Sequence, residues 1–187
     1  TITVGGDCTL ADAITAANTG APAGDCPAGN GVDILELTED VTLTDIDNEG
    51  IDGDHNGLPI ITAAITIYGN GYTISRASVA EDFRFFYVAS GARLTLENVT
   101  LQGGGVRGDG GAIFNSGEVT LIDSDLLNNT AVRAGSAGSA IYNDGGTVTI
   151  NGGRVADNID VDGPKDDDHV FPPRWPGCAR GRAGSST

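Results

Sequence analysis

Two stretches of the chain repeat each other. Gly110-Gly111-Ala112-Ile113-Phe114-Asn115, followed by Gly117-Glu118-Val119-Thr120-Leu121, returns as Gly138-Ser139-Ala140-Ile141-Tyr142-Asn143 and Gly146-Thr147-Val148-Thr149-Ile150, offset by 28 to 29 residues. A third copy of the second half stands at Ala92-Arg93-Leu94-Thr95-Leu96. Short alternating strands at a period of 20 to 50 residues define a solenoid, in which each repeat buries its apolar face only against its neighbours. Aligning the repeats predicts three interior columns: Leu94, Val119 and Val148; Leu96, Leu121 and Ile150; and Leu101, Leu126 and Val155. Coils stacked at one strand spacing, about 4.8 Å, would set like upon like.

The rest of the composition agrees with an all-β chain. Glycine is abundant at 29 of 187 residues, and Val, Ile, Leu and Thr dominate the periodic segments. The formal net charge of −16 excludes nucleic acid and anionic membranes as natural partners. It fits a secreted protein, a saline habitat or a calcium binder, and it also fits simple solubility. No run of 18 apolar residues is present, so membrane insertion is not expected. The chain opens without Met, directly on a strand, which reads as a mature end after removal of an export signal.

Three regions follow. Residues 1–31 hold a strand and a helix with a capping-box pattern, Thr9 as N-cap and Asp12 reaching back, with Gly20 at the C-cap. Leu10, Ala13, Ile14 and Ala17 form its apolar face, suited to covering the open edge of the first coil. Cys8 and Cys26, 18 residues apart, suit a disulfide; the alternative is two buried thiols. Residues 32–160 carry the coils. Residues 161–187 break the pattern with four of the seven prolines, Trp175 and a lone Cys178. Their formal charge is zero, and the segment reads as a truncated or non-native end, or else as a functional tail. An uncapped C-terminal edge would leave a route to oligomers.

Cys8-Thr9-Leu10-Ala11-Asp12-Ala13-Ile14 resembles the Cys-Ser-Leu-Arg-Glu-Ala-Ile signature of bacterial secreted proteins of the CSLREA type, departing from it at Ala11 and Asp12. Gly57-Leu58-Pro59-Ile60-Ile61-Thr62, the segment Ile65 to Gly71, and Gly110 to Asn115 are similar to that group as well. The resemblance covers roughly residues 1 to 160. It implies a right-handed parallel β-helix of the pectin-lyase-like kind with an N-terminal capping helix, exported to the cell surface or medium.

Candidate site residues fall in four sets. Asn115 and Asn143 share a turn of successive coils, as expected of a structural amide ladder, and Asn98 with Asp123 suggests another. Phe114 and Tyr142 would point outward if Ile113 and Ile141 point inward, making a platform for sugar faces or simply a stack that stabilises the sheet. Asp123, Asp125 and Arg154 place carboxylates and a guanidinium on one outer face, usable for glycan hydrolysis or elimination, or forming a plain surface ion pair. The loop from Asp45 to Asn56 offers Asp45, Asp47, Asp52 and Asp54 as oxygen ligands that could hold Ca²⁺, without the EF-hand spacing; a solvated acidic loop is the simpler reading. No other cofactor is indicated. The leading functional expectation is therefore an extracellular protein binding a polysaccharide or cell-surface glycan. The alternatives are a polysaccharide-active hydrolase or lyase, and a structural repeat of a larger surface protein.

Overall fold

Alternation of period two dictates the strands. In Arg93–Glu97 and Glu118–Ile122, residues with aliphatic side chains at the second and fourth positions are buried, and threonine at the third faces outward. A computed structural model describes residues 1–132 and 137–160. Its strands stack as a parallel β-solenoid with one short helix near the N-terminus. The tail 161–187, with Trp175 and Cys178, lies outside the described residues.

The first sheet has six parallel strands: Ile2–Val4, Asp33–Leu37, Ala64–Tyr68, Arg93–Glu97, Glu118–Ile122 and Thr147–Asn151. The second has five: Val41–Leu43, Thr73–Arg76, Thr100–Gln102, Asp125–Leu127 and Val155–Ala156. The third side of the coil is split. One piece holds Gly105–Val106, Thr130–Ala131 and Ile159–Asp160; the other holds Phe86–Val88, Ile113–Asn115 and Ile141–Asn143. All three anticipated columns are in register: Leu94 with Val119 and Val148, Leu96 with Leu121 and Ile150, and Leu101 with Leu126 and Val155. Leu96 and Leu121 are fully buried, whereas Ile150, on the last described strand of its sheet, is 41% exposed.

Left-handed residues turn the corners. Asn70, Asn98 and Asp123 have φ of 53°, 50° and 46° and are followed in the next coil by Gly152; Asn128 and Asp157, at 55° and 58°, form a second such column above Gly103. Asn and Asp tolerate this conformation better than other residues with side chains. The alignment of Asn98 with Asp123 is therefore a backbone requirement, not the amide ladder expected from the sequence.

At the N-terminal end the chain leaves Val4 through Gly5 and Gly6, the latter at φ 59°, and enters the helix Leu10–Thr19. Thr9 Oγ1 accepts the Asp12 N–H (3.1 Å) and donates to Asp12 Oδ2 (2.8 Å); Gly20 adopts φ 66° and donates its N–H to the Ala16 carbonyl. The helix buries Leu10, Ala13, Ile14, Ala16 and Ala17 against the first strands of the first sheet. Asn18 pins it further, donating to the Ile60 carbonyl (2.8 Å) and accepting from the Thr62 N–H (2.9 Å). No described helix is long and apolar enough to cross a membrane.

Cys8 and Cys26 are joined in a disulfide, with Cα atoms 4.8 Å apart. Closing an 18-residue separation restricts the unfolded chain by about 3 kcal/mol. Cys8→Ala with Cys26→Ala should lose close to that amount in urea denaturation, with the capping helix the first region to exchange amide hydrogens.

Candidate functional site

Three successive coils detour along the third side. After the second sheet, the chain runs through residues 44–60 before Ile61 rejoins the third side beside Val88. The next coils leave through 77–85 and 107–112 before their strands Phe86–Val88 and Ile113–Asn115. A solenoid sends the insertions of successive repeats to one face, often its binding face.

The first detour folds back on the solenoid as a hairpin, Asn48–Glu49 against His55–Asn56. Asn56 Nδ2 donates to Asn48 Oδ1 (2.7 Å), and Asn48 Nδ2 to the Leu58 carbonyl (3.1 Å). Its anchor is Arg84, the largest fully buried side chain at 0% exposure. Arg84 Nη1 donates to Asp52 Oδ2 (2.7 Å), Nη2 lies 3.2 Å from Asp54 Oδ2, and the guanidinium sits 5.0 Å from the centre of the Phe114 ring. Nε and Nη2 of Arg84 and Oδ1 of Asn56 are buried without an aligned hydrogen-bond partner. Gly108 makes room for this arrangement: a Cβ there would collide with the Asp54 carboxylate.

The packing around Phe114 corrects the expected aromatic platform. The rings do stack along the third side, Tyr87 on Phe114 at 4.9 Å and 5°, and Phe114 on Tyr142 at 5.2 Å and 42°. Phe114, however, is only 6% exposed: its ring packs between Tyr87 and Tyr142 with the buried Arg84 guanidinium beside it. Tyr142, further along, stays half-buried, and burial first, then Asp109 and Asp144, pushes its phenol above the usual tyrosine range. The stack thus serves packing, and no open aromatic face exists at Phe114.

The acidic loop is likewise not a ligand cage. Asp52 and Asp54 are committed to Arg84, Asp47 accepts from Asn48 Nδ2 (2.7 Å), and Asp45 from the Thr44 hydroxyl (2.6 Å). Among the described residues no three His, Cys, Asp or Glu side chains converge as metal ligands. The expected Asp45, Asp47, Asp52 and Asp54 calcium set is therefore not formed.

Asp125 and Arg154 do meet. Asp125 Oδ1 accepts the Arg154 backbone N–H (2.8 Å), and Oδ2 lies 3.4 Å from Arg154 Nε. Both carboxylate oxygens are thus taken up by Arg154, whose side chain is 67% exposed, as in an ordinary surface ion pair. Asp123 occupies a left-handed turn and faces solvent. The Asn115–Asn143 ladder is present: Asn115 Nδ2 donates to Asn143 Oδ1 (2.7 Å) and to the Thr147 carbonyl (3.1 Å).

A cleft of about 400 Å³ opens where the detours meet, lined by Asp54, His55, Glu81, Asp82 and Arg107 with Val106. Arg76 holds its far wall, donating to the Gly103 and Ala80 carbonyls (2.9 and 2.8 Å) and pairing with Asp82 (3.3 Å). Among the described residues, the side chains of His55, Glu81 and Arg107 make no hydrogen bond or ion pair, so they remain free for a ligand. Sequence reasoning missed this group because its members come from three different coils. The signal that could have located it was positional: His55, Glu81 and Arg107 all lie in the breaks between repeats. Comparisons with protein-family models, curated proteins and solved structures return no match for this chain.

Proposed function

We propose that the chain is an extracellular bacterial β-helix protein of the CSLREA type that binds a polysaccharide or cell-surface glycan, and that the glycan sits at the loop corner, not on the bare sheets. The observation that carries the reading is the cleft bounded by three successive detours, with His55, Glu81 and Arg107 uncommitted inside it. Asp82 is matched by Arg76, Glu81 by the charge of Arg107, and Asp54 shares Arg84 with Asp52, so the cleft and its surround carry only a small net negative charge. A neutral sugar, with vicinal hydroxyls donating to a carboxylate and accepting from a guanidinium, suits it best. On a glycan array the wild-type chain should retain neutral glycans. Arg107→Ala with Glu81→Gln should weaken that binding at least tenfold, while Asp125→Asn leaves it unchanged. Retention undiminished in the double variant defeats the site assignment.

A second reading, glycan hydrolysis, is favoured by one observation: a carboxylate and an imidazole, Glu81 and His55, line the same cleft, and both are side-chain types that general acid–base catalysis uses. Release of reducing ends from a retained glycan, lost in Glu81→Gln, would decide for it.

A further inference from the structure

The two long sheets do not begin together. The first starts at Ile2–Val4 and the second a full coil later, at Val41–Leu43, because the chain after Val4 turns into the helix instead of laying a strand beneath Val41. The second sheet is thus one strand short at this end. The consequence shows in its interior column. Ile74, Leu101 and Leu126, flanked on both sides, are fully buried, whereas Val41 in the same column is left half-buried.

The backbone there is equally unmet. The Leu43 carbonyl accepts the Ala77 N–H (2.9 Å), so Val41 and Leu43 direct their peptide groups to the neighbouring strand. By the alternation of a strand, Thr42 directs its N–H and C=O the other way. They face a groove of about 470 Å³ between the strand and the helix start. Leu10, Val41 and Ile46 give it an apolar floor. Glu39, Asp40, Asp45 and Asp47 rim it, and among the described residues no Lys, Arg or His lines it.

We propose that this groove takes an extended, cationic peptide segment of a partner protein, added as the missing strand beneath Val41–Leu43. Backbone pairing to Thr42 would supply affinity, alternate apolar side chains would cover Val41, and flanking Lys or Arg would meet the four carboxylates. The direction would be parallel, as in every other pair of that sheet.

The test uses the whole chain and a fluorescent peptide, Lys-Thr-Val-Thr-Ile-Lys, read by anisotropy at low salt. The expected result is saturable binding that weakens at least tenfold when the two lysines become glutamates, and several-fold for Asp45→Asn with Asp47→Asn. Thr42→Pro removes the N–H that faces the groove while sparing those facing the sheet, a placement that edge strands tolerate. It should abolish binding with an unchanged melting temperature. If Thr42→Pro fails to fold, two isomers of the peptide, N-methylated on its odd or even residues, decide on the wild-type chain. Discrimination between them supports strand addition, because only one edge of the peptide would be paired. Equal binding of both, full binding to folded Thr42→Pro, or a wild-type dimer that Thr42→Pro dissociates and the peptide does not, overturns it.

Discussion

Asp52→Asn combined with Asp54→Asn should lower the unfolding free energy by about 3–5 kcal/mol. Both replacements keep size and shape and remove only charge. Arg84 is 0% exposed and cannot shed its proton, so it would be left as a buried cation facing two neutral amides and the Phe114 ring. The ring returns about 0.5–2 kcal/mol at most, and it does so in the wild type too. Two routes of relief are open: the solenoid unfolds sooner, or the hairpin 48–56 swings out and lets water reach Arg84. Urea denaturation measures the first; hydrogen exchange of the hairpin amides measures the second. Adding Arg84→Met should recover a large part of the loss, because the buried charge is gone and the ring keeps an apolar neighbour. A double variant within about 1 kcal/mol of wild type would mean that the Arg84 pairs contribute nothing to holding the hairpin.

The reason this anchor escapes a reading of the sequence is physical. Asp52 and Arg84 are 32 positions apart, and nothing in either segment's pattern announces that one folds over the other. The columns were legible because a solenoid repeats its own environment: Leu96 must meet Leu121 once Arg93–Glu97 aligns with Glu118–Ile122. The same logic placed Asp125 beside Arg154, Asn115 beside Asn143 and Phe114 beside Tyr142. It failed wherever a non-repeating segment intervened. Phe114 points away from the interior as its alternation requires, yet its ring is closed off between Tyr87 and Tyr142, with Arg84 from a detour beside it. The calcium expectation failed for the same reason, since Asp52 and Asp54 are held by a cation that the loop's own composition does not contain. A second ladder is legible from the same repeat. Gly105, Thr130 and Ile159 are in register, which sets Asn129 directly against Asn158, one residue before the strands begin.

That second ladder carries the other large effect. Asn129 is fully buried, and each polar atom of its side chain is in use. Oδ1 accepts the Gly104 N–H (2.9 Å); Nδ2 donates to Asn158 Oδ1 (2.9 Å) and reaches the Leu101 carbonyl (3.3 Å). Asn129→Leu keeps the volume and strips all three. Asn158 Oδ1 still accepts the Asn129 backbone N–H (2.9 Å), so it is not orphaned. Gly104 N–H is, whereas the Leu101 C=O keeps the Leu127 N–H of the strand ladder; a buried unpaired peptide group costs about 1–3 kcal/mol. The expected loss is about 2–3 kcal/mol, read as a shift of the urea midpoint at constant slope. Asn143→Leu supplies the comparison. Asn143 is only half-buried, so water can replace its bonds to Asn115 and to the Gly146 carbonyl, and its loss should stay near 1 kcal/mol. Similar losses at the two positions would mean that amide-to-amide contact is what the ladders contribute. A loss two to three times larger at Asn129 assigns their value to the peptide group it satisfies inside the turn, where no water can take the side chain's place.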